Sequence, residues 1–174
     1  VADSLTSATM TIDVTAVNDL PTATDNTVTA TEDTAFVFAP VNFGFIDIDT
    51  ADVLQGITVT TLSSTGTLAL NGTAVTVDQS ISHDDIFEGL LTFTPLKDGN
   101  GVGYDSFQFT VNDGIADSLV PSTLTIDVTA VNDLPTATDN TVTATEDTAL
   151  VFVLADFGFT DVETEQLQGI TVTT

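Results

Sequence analysis

Apolar and polar residues alternate along most of this chain, and a period of two predicts β-strands with one buried and one exposed face. The alternation is clear at residues 57–60, 105–111 and 123–129. Residues 90–95 continue it and end in a proline, which cannot donate a hydrogen bond within a sheet. Thr, a β-branched residue suited to the exposed face of a strand, makes up about a fifth of the chain.

A hairpin is the strongest local prediction. Asn71-Gly72 separates two alternating runs at residues 67–70 and 73–77. A type I′ turn needs positive φ at both central residues, which Asn and Gly tolerate better than other residues. We therefore expect two antiparallel strands joined by this turn.

Only residues 82–88 resemble a helix, for about one turn, with Ser82 as the N-cap. The remaining segments give about seven strands in each repeat and no long helix. This pattern predicts an all-β protein, an antiparallel β-sandwich of the immunoglobulin or cadherin type, built from tandem repeats.

The repeat is visible in one segment, TIDVTAVNDLPTATDNTVTATEDTA, which occurs unchanged at residues 11–35 and 125–149. The offset of 114 residues continues on both sides, with one residue dropped near Gln166. It divides the chain into the last strand and linker of a preceding repeat (residues 1–19), a complete repeat (20–133) and the first part of a following repeat (134–174). The chain is therefore expected to be an excerpt from a tandem array.

The charge of the chain restricts its partners. It has 26 Asp and Glu residues against one Lys or Arg, a formal net charge of −25. Nucleic acids and anionic membrane surfaces both require a basic face, so neither is an expected partner, and the sequence has no membrane-spanning run. A hydrophobic content of 42% argues against disorder, so we expect a folded polyanion that needs cations.

The acidic residues and Asn gather between the predicted strands, where oxygen ligands from several loops would suit Ca²⁺. Zinc would require His or Cys, but the chain has one His and no Cys. Mg²⁺ is less suitable because it prefers few protein ligands in a tight octahedral shell. The alternative is that these residues serve only as turn formers.

Two parts of the sequence resemble known repeats. FQFTVNDG (107–114) followed by TIDVTAVNDLP (125–135) resembles the end of a cadherin repeat. FGFIDID (43–49), TLALNGTAV (67–75) and LTFTP through GYDSF (91–107) resemble bacterial cadherin-like tandem repeats, which fill giant secreted surface proteins including adhesins of the RTX type. The resemblance covers the whole 114-residue unit.

The resemblance implies a sandwich with Ca²⁺ bound where consecutive domains meet. The ligands that it implies at the second junction are Asp113, Asn132, Asp133, Glu146, Asp161 and Glu163. Those implied at the first junction are Asp3, Asn18, Asp19, Glu32, Asp47 and Asp49. The cadherin linker begins with a further Asp, whose place is taken here by Ala16 and Ala130, so one ligand of the family pattern is missing.

The function that this resemblance implies is a structural extender in a large secreted or cell-surface adhesin or fibre, located outside a bacterial cell. Its partners would be the neighbouring repeats of the same chain or other copies of the protein. Ca²⁺ would neutralise the linker carboxylates and make the string of domains rigid.

Three alternatives remain open at this stage. Strands such as residues 9–15 could pair between chains and form filaments. A Thr-rich face could bind a glycan, a mineral or ice. Catalysis has the weakest support, because no motif places a nucleophile beside His83 and its neighbours Asp84 and Asp85, and the protein is not expected to be an enzyme.

Overall fold

The structure is a computed structural model that describes residues 6–49, 51–62, 64–163 and 165–173. Its strands are β1 (Thr22–Ala23), β2 (Asn26–Thr31), β3 (Phe36–Val37), β4 (Phe45–Ile46), β5 (Gly56–Thr61), β6 (Thr67–Leu70), β7 (Thr73–Ala74), β8 (Ser80–Ser82), β9 (Leu91–Thr94), β10 (Gly101–Asn112), β11 (Ser122–Thr129), β12 (Thr136–Ala137) and β13 (Phe159–Thr160). Helix α1 spans His83–Phe87, and 3₁₀ turns span Pro40–Phe43 and Leu154–Phe157.

Two main sheets form the sandwich. One has the strand order β2-β11-β10-β5-β8 and the other β3-β9-β6-β7. Neighbouring strands are antiparallel, except that β2 and β11 run parallel, from Leu124 opposite Asn26 to Thr129 opposite Thr31. The inward residues of both sheets share one apolar core, so the predicted all-β, immunoglobulin-like sandwich is confirmed.

Phenylalanine rings dominate this core. Phe38 meets Phe107 edge to face, with ring centroids 5.7 Å apart, and Phe43 meets Phe109 in the same way at 5.1 Å. All four rings are at most 1% exposed. They come from a loop, a 3₁₀ turn and β10, so the aromatic contacts join segments that are distant in sequence.

Two local predictions are confirmed. Asn71 and Gly72 have φ of 48° and 74°, and Leu70 pairs with Thr73 across the turn. The Ser82 hydroxyl oxygen accepts a hydrogen bond from the Asp85 backbone N–H (3.1 Å) at the start of α1. The strand after the turn is shorter than predicted, because β7 ends at Ala74.

Identical sequences adopt different conformations in the two copies of the repeated segment. Residues 125–129 lie in β11 between β2 and β10, and Ile126 is completely buried. Residues 11–15 form no strand, and Ile12 is 78% exposed. Packing partners, rather than local sequence, therefore decide whether this segment is a strand.

Residues 136–160 repeat the local structure of residues 22–46. β12 pairs with β13 through Thr136 opposite Thr160, as β1 pairs with β4 through Thr22 opposite Ile46. A glycine with left-handed φ ends each 3₁₀ turn, at 54° for Gly44 and 53° for Gly158. None of the helices among the described residues has the length and hydropathy that a membrane-spanning segment requires.

Candidate metal centres at the two linkers

The first linker, residues 16–21, is held by carboxylates from two loops of the complete repeat. The Asp19 backbone N–H donates a hydrogen bond to Asp49 Oδ2 (2.8 Å). Asp49 in turn donates its backbone N–H to Asp47 Oδ1 (2.7 Å). On the other side, Asn18 Nδ2 donates to Asp113 Oδ2 (3.2 Å). We call this arrangement the first junction.

Three carboxylates of the first junction converge. Oxygens of Asp47, Asp49 and Asp52 all lie within 4.8 Å of one another. Asp47 Oδ2 is buried and has no hydrogen-bond partner among the described residues. Burial raises the pKa of Asp52 above its ordinary value, and the charges of Asp47, Asp49 and Asp113 raise it further. The group therefore has excess negative charge and a free oxygen that a cation could bind.

Asp113 contributes a carboxylate to this junction that its hydrogen bonds keep ionised. It is 6% exposed, and its Oδ1 accepts hydrogen bonds from the backbone N–H groups of Ile115 (2.6 Å) and Ala116 (2.7 Å). The Ala116 and Ile115 donors lower the pKa of Asp113 below its ordinary value despite burial, and the hydrogen bond from Asn18 lowers it further. Asp113 thus stays ionised.

The second linker, residues 130–135, begins beside a buried glutamate. Glu32 is 1% exposed. Its Oε1 accepts a hydrogen bond from the Val131 backbone N–H (2.5 Å), and its Oε2 accepts one from Asn100 Nδ2 (2.7 Å). Both oxygens of this side chain therefore have partners, and they fix the first residues of the linker to the complete repeat.

Two further groups of carboxylates meet at the second linker and share Asp133. One group is Glu32, Asp133 and Glu163, and the other is Asp33, Asp98 and Asp133; in each, oxygens lie within 4.8 Å of one another. The Asp133 backbone N–H donates to Glu163 Oε2 (3.1 Å). We call this arrangement the second junction.

Two oxygens of the second junction are buried without a hydrogen-bond partner among the described residues, Asp133 Oδ2 and Glu163 Oε1. Burial raises the pKa of Asp133, and the charges of Asp98, Glu163 and Asp33 add to this effect, whereas Lys97 opposes it. A buried oxygen without a donor is costly, so these two atoms fit a cation better than they fit this environment alone.

The structure places two predicted ligands at the opposite junction from the one expected. Glu32, predicted for the first junction, lies at the second, because β2 runs parallel to β11 and both strands end beside the second linker. Asp113, predicted for the second junction, lies at the first, because it follows β10, which is antiparallel to β11. Each junction therefore receives a carboxylate from the residue directly after a strand, Glu32 after β2 and Asp113 after β10.

The remaining predicted ligands of the second junction lie outside the acidic groups of the described residues. Asn132 Nδ2 donates to the Asp133 carbonyl oxygen (2.8 Å), and Asp161 Oδ1 accepts from the Glu165 backbone N–H (3.1 Å). Glu146 is exposed and belongs to none of the acidic groups among the described residues. Asp3 lies outside the described residues.

Four residues at the junctions were missing from the predicted ligand set: Asp33, Asp52, Asp98 and Asn100. All four lie in the acidic loops that the sequence shows between strands. The repeated pattern could not select them, because their proximity to the linkers depends on which strand ends meet in space. The donor set of both junctions consists of oxygens with net negative charge, which is the chemistry that Ca²⁺ prefers.

A comparison with protein families finds that the family described as "Bacterial Ig domain" matches residues 18–129. No curated protein matches the chain, and no solved structure matches it. The matched range contains both main sheets and every residue that makes the hydrogen bonds described for the first junction.

Proposed function

Because this chain belongs to the family of bacterial Ig domains, we propose that it is a structural extender of a large secreted or surface adhesin or fibre, and that Ca²⁺ makes the joints between its domains rigid. Such domains are structural modules, which agrees with a role in spacing rather than in catalysis. The proposed place of action is outside the bacterial cell.

The repetition of one contact at both junctions carries this proposal. Asp19 N–H donates to Asp49 Oδ2 at 2.8 Å, and Asp133 N–H donates to Glu163 Oε2 at 3.1 Å, 114 positions later for both partners. The contact survives the change from Asp to Glu. The hydrogen bond between a linker N–H group and a carboxylate about 30 residues later therefore occurs at both joints.

The carboxylates around each contact would bind the metal. At the second junction the proposed ligands are Glu32, Asp133 and Glu163, and two oxygens of this set are buried without partners among the described residues. At the first junction they are Asp47, Asp49 and Asp52, with Asp113 nearby. When bound, Ca²⁺ would supply charge neutralisation and hold together carboxylates that otherwise repel one another.

Rigidity follows from the placement of ligands on both sides of the second linker, whereas the three carboxylates of the first junction all belong to the complete repeat. Glu32 belongs to the complete repeat, Asp133 to the linker and Glu163 to the start of the following repeat. A cation shared by three such segments opposes bending of the linker. Without the cation, repulsion between the same carboxylates favours a more open and variable angle.

Thermal melting and the hydrodynamic radius of the chain, each measured in calcium, in magnesium and in chelator, test this function. We expect calcium to raise the melting temperature and to narrow the range of conformations, with a smaller effect of magnesium. Asp133→Asn should weaken the calcium effect, whereas the exposed Asp139→Asn should preserve it. The proposal is wrong if melting and radius are the same in calcium and in chelator.

A second candidate function is assembly through strand addition. Met10, Ile12 and Val14 are 86%, 78% and 88% exposed, although the identical Ile126 and Val128 are buried in β11. A second copy could cover this apolar face by pairing with residues 9–15. Sedimentation at increasing concentration tests the candidate: dimers or filaments that disappear in an Ile12→Lys variant support it, and a monomer at every concentration opposes it.

A further inference from the structure

Lys97 is the only Lys or Arg in the chain, and it lies at the second junction. Its ammonium nitrogen is 2.6 Å from Asp98 Oδ1 and 2.7 Å from Asp98 Oδ2, so it contacts both oxygens of one carboxylate. The Asp98 backbone N–H donates to Asp33 Oδ1 (3.1 Å), and both residues form an acidic group with Asp133.

Negative charge is concentrated around Lys97 at the second junction. Five carboxylates meet there, those of Glu32, Asp33, Asp98, Asp133 and Glu163. Of the two oxygens that are buried without a partner among the described residues, Glu163 Oε1 lies on the Glu32 side and Asp133 Oδ2 belongs to the residue that both groups share. On the Asp98 side, by contrast, the ammonium group already neutralises the carboxylate that a metal ion would have to share.

We propose that Lys97 is a resident cation that takes the place of a metal ion beside Asp33, Asp98 and Asp133, and that it thereby restricts metal binding at the second junction to the Glu32 side. The inference rests on the proposed function for its metal, but the role of Lys97 as counter-ion does not depend on any metal.

The electrostatics of the site agree with this role. The hydrogen bond to Asp98 raises the pKa of Lys97 above its ordinary value, burial opposes the rise, and the charges of Asp98, Asp133 and Asp33 add to it. The ammonium group is therefore charged at neutral pH. A divalent cation on Asp98 would have to approach the Lys97 ammonium group and would be repelled by it, so the two cations compete for this carboxylate.

The side chain of Lys97 is 78% exposed, so a substitution there leaves the core intact. Lys97→Gln removes the charge and preserves much of the length, whereas Lys97→Arg keeps the charge as a matched control. We expect calorimetric titration with calcium to count one more bound ion per chain in Lys97→Gln than in the wild type. The count in Lys97→Arg should be unchanged.

A second measurement needs no metal. In metal-free buffer at low ionic strength, Lys97→Gln should melt at a lower temperature than the wild type, and added monovalent salt should reduce the difference. Lys97→Arg should melt like the wild type in both conditions.

The outcomes separate this inference from the proposed function. If the wild type binds calcium and Lys97→Gln binds no more ions, the inference about Lys97 fails and the proposed function stands. If neither protein binds calcium, the proposed function fails, and the comparison of melting temperatures in metal-free buffer then tests the counter-ion role of Lys97. Equal melting of wild type and Lys97→Gln at low ionic strength overturns the counter-ion role in either case.

Discussion

Val131 donates its backbone N–H to the buried carboxylate of Glu32, a residue 99 positions earlier in the chain. The contact joins the end of β2 to the start of the second linker, since β2 runs parallel to β11 and both end on the same side of the sandwich. The linker therefore leaves the domain in a fixed position, close to the carboxylates of the second junction.

The repeated segment supplies a matched pair of variants for this contact. Glu32→Gln replaces one acceptor of the side chain by a donor, which conflicts with the N–H of Val131 or the amide of Asn100. We expect a loss of about 1–2 kcal/mol in the free energy of unfolding, measured by urea denaturation, and a weaker calcium effect.

Glu146→Gln is the control, because Glu146 has the same neighbours in sequence but is exposed and lies outside the acidic groups of the described residues. It should leave both the unfolding free energy and the calcium effect unchanged. Equal effects of the two substitutions would contradict a specific role for Glu32.

Asp105 is a buried carboxylate that anchors a loop to the core. It is 6% exposed, and its carboxylate accepts hydrogen bonds from the backbone N–H groups of Ser64, Thr65, Gly66 and Ser106 at 2.7–3.0 Å. Burial raises its pKa, but these donors, Gly66 first among them, outweigh burial and hold the pKa below its ordinary value.

Asp105→Asn should therefore lower the free energy of unfolding by about 2–3 kcal/mol, because the amide group cannot accept from all four donors. The exposed Asp84→Asn, at 92% side-chain exposure, should change it by less than about 0.5 kcal/mol. Urea denaturation of both variants checks the prediction, and it fails if Asp105→Asn is as stable as Asp84→Asn.

The metal-free chain should be stabilised by mild acid. Asp52 and Asp133 have raised pKa values, so each destabilises the fold when it is ionised, and this cost is removed as the pH falls through its folded pKa. Asp105 and Asp113 have lowered pKa values, so their stabilising effect is lost only at still lower pH.

The melting temperature measured as a function of pH tests whether mild acid stabilises the metal-free chain. In metal-free protein it should rise from neutral pH toward the region just above the ordinary Asp pKa of about 3.9, and then fall. With calcium the trend toward mild acid should reverse, because protons and metal compete for the same carboxylates. A metal-free melting temperature that falls steadily from neutral pH would contradict the raised pKa values.

The sequence predicts the sandwich well because strands and turns depend mainly on residues that are close together in the chain. Alternation shows which residues face the core, and Asn71-Gly72 fixes its own turn geometry. Asp105 alternates in phase with the buried Phe107 and Phe109, a signal that could have separated it from the acidic residues of the loops although it was not used. An acidic residue in a core position predicts an anchored carboxylate.

The arrangement of the junctions was not predictable in the same way. Alternation cannot tell that β2 pairs in parallel with β11, and this pairing alone moves Glu32 to the second junction. The identical residues 11–15 and 125–129, exposed in one place and buried in the other, show the same limit. Contacts between distant segments determine which oxygens converge.

Amide hydrogen exchange of the second linker, measured by NMR in metal-free buffer and in saturating calcium, tests the proposed joint most directly. Calcium should slow exchange at Val131 and Asp133, whose N–H groups are bound by Glu32 and Glu163, and should slow it at the buried Phe107 in β10 only by the gain in global stability. Equal exchange rates at Val131 and Asp133 with and without calcium would contradict a calcium-braced joint.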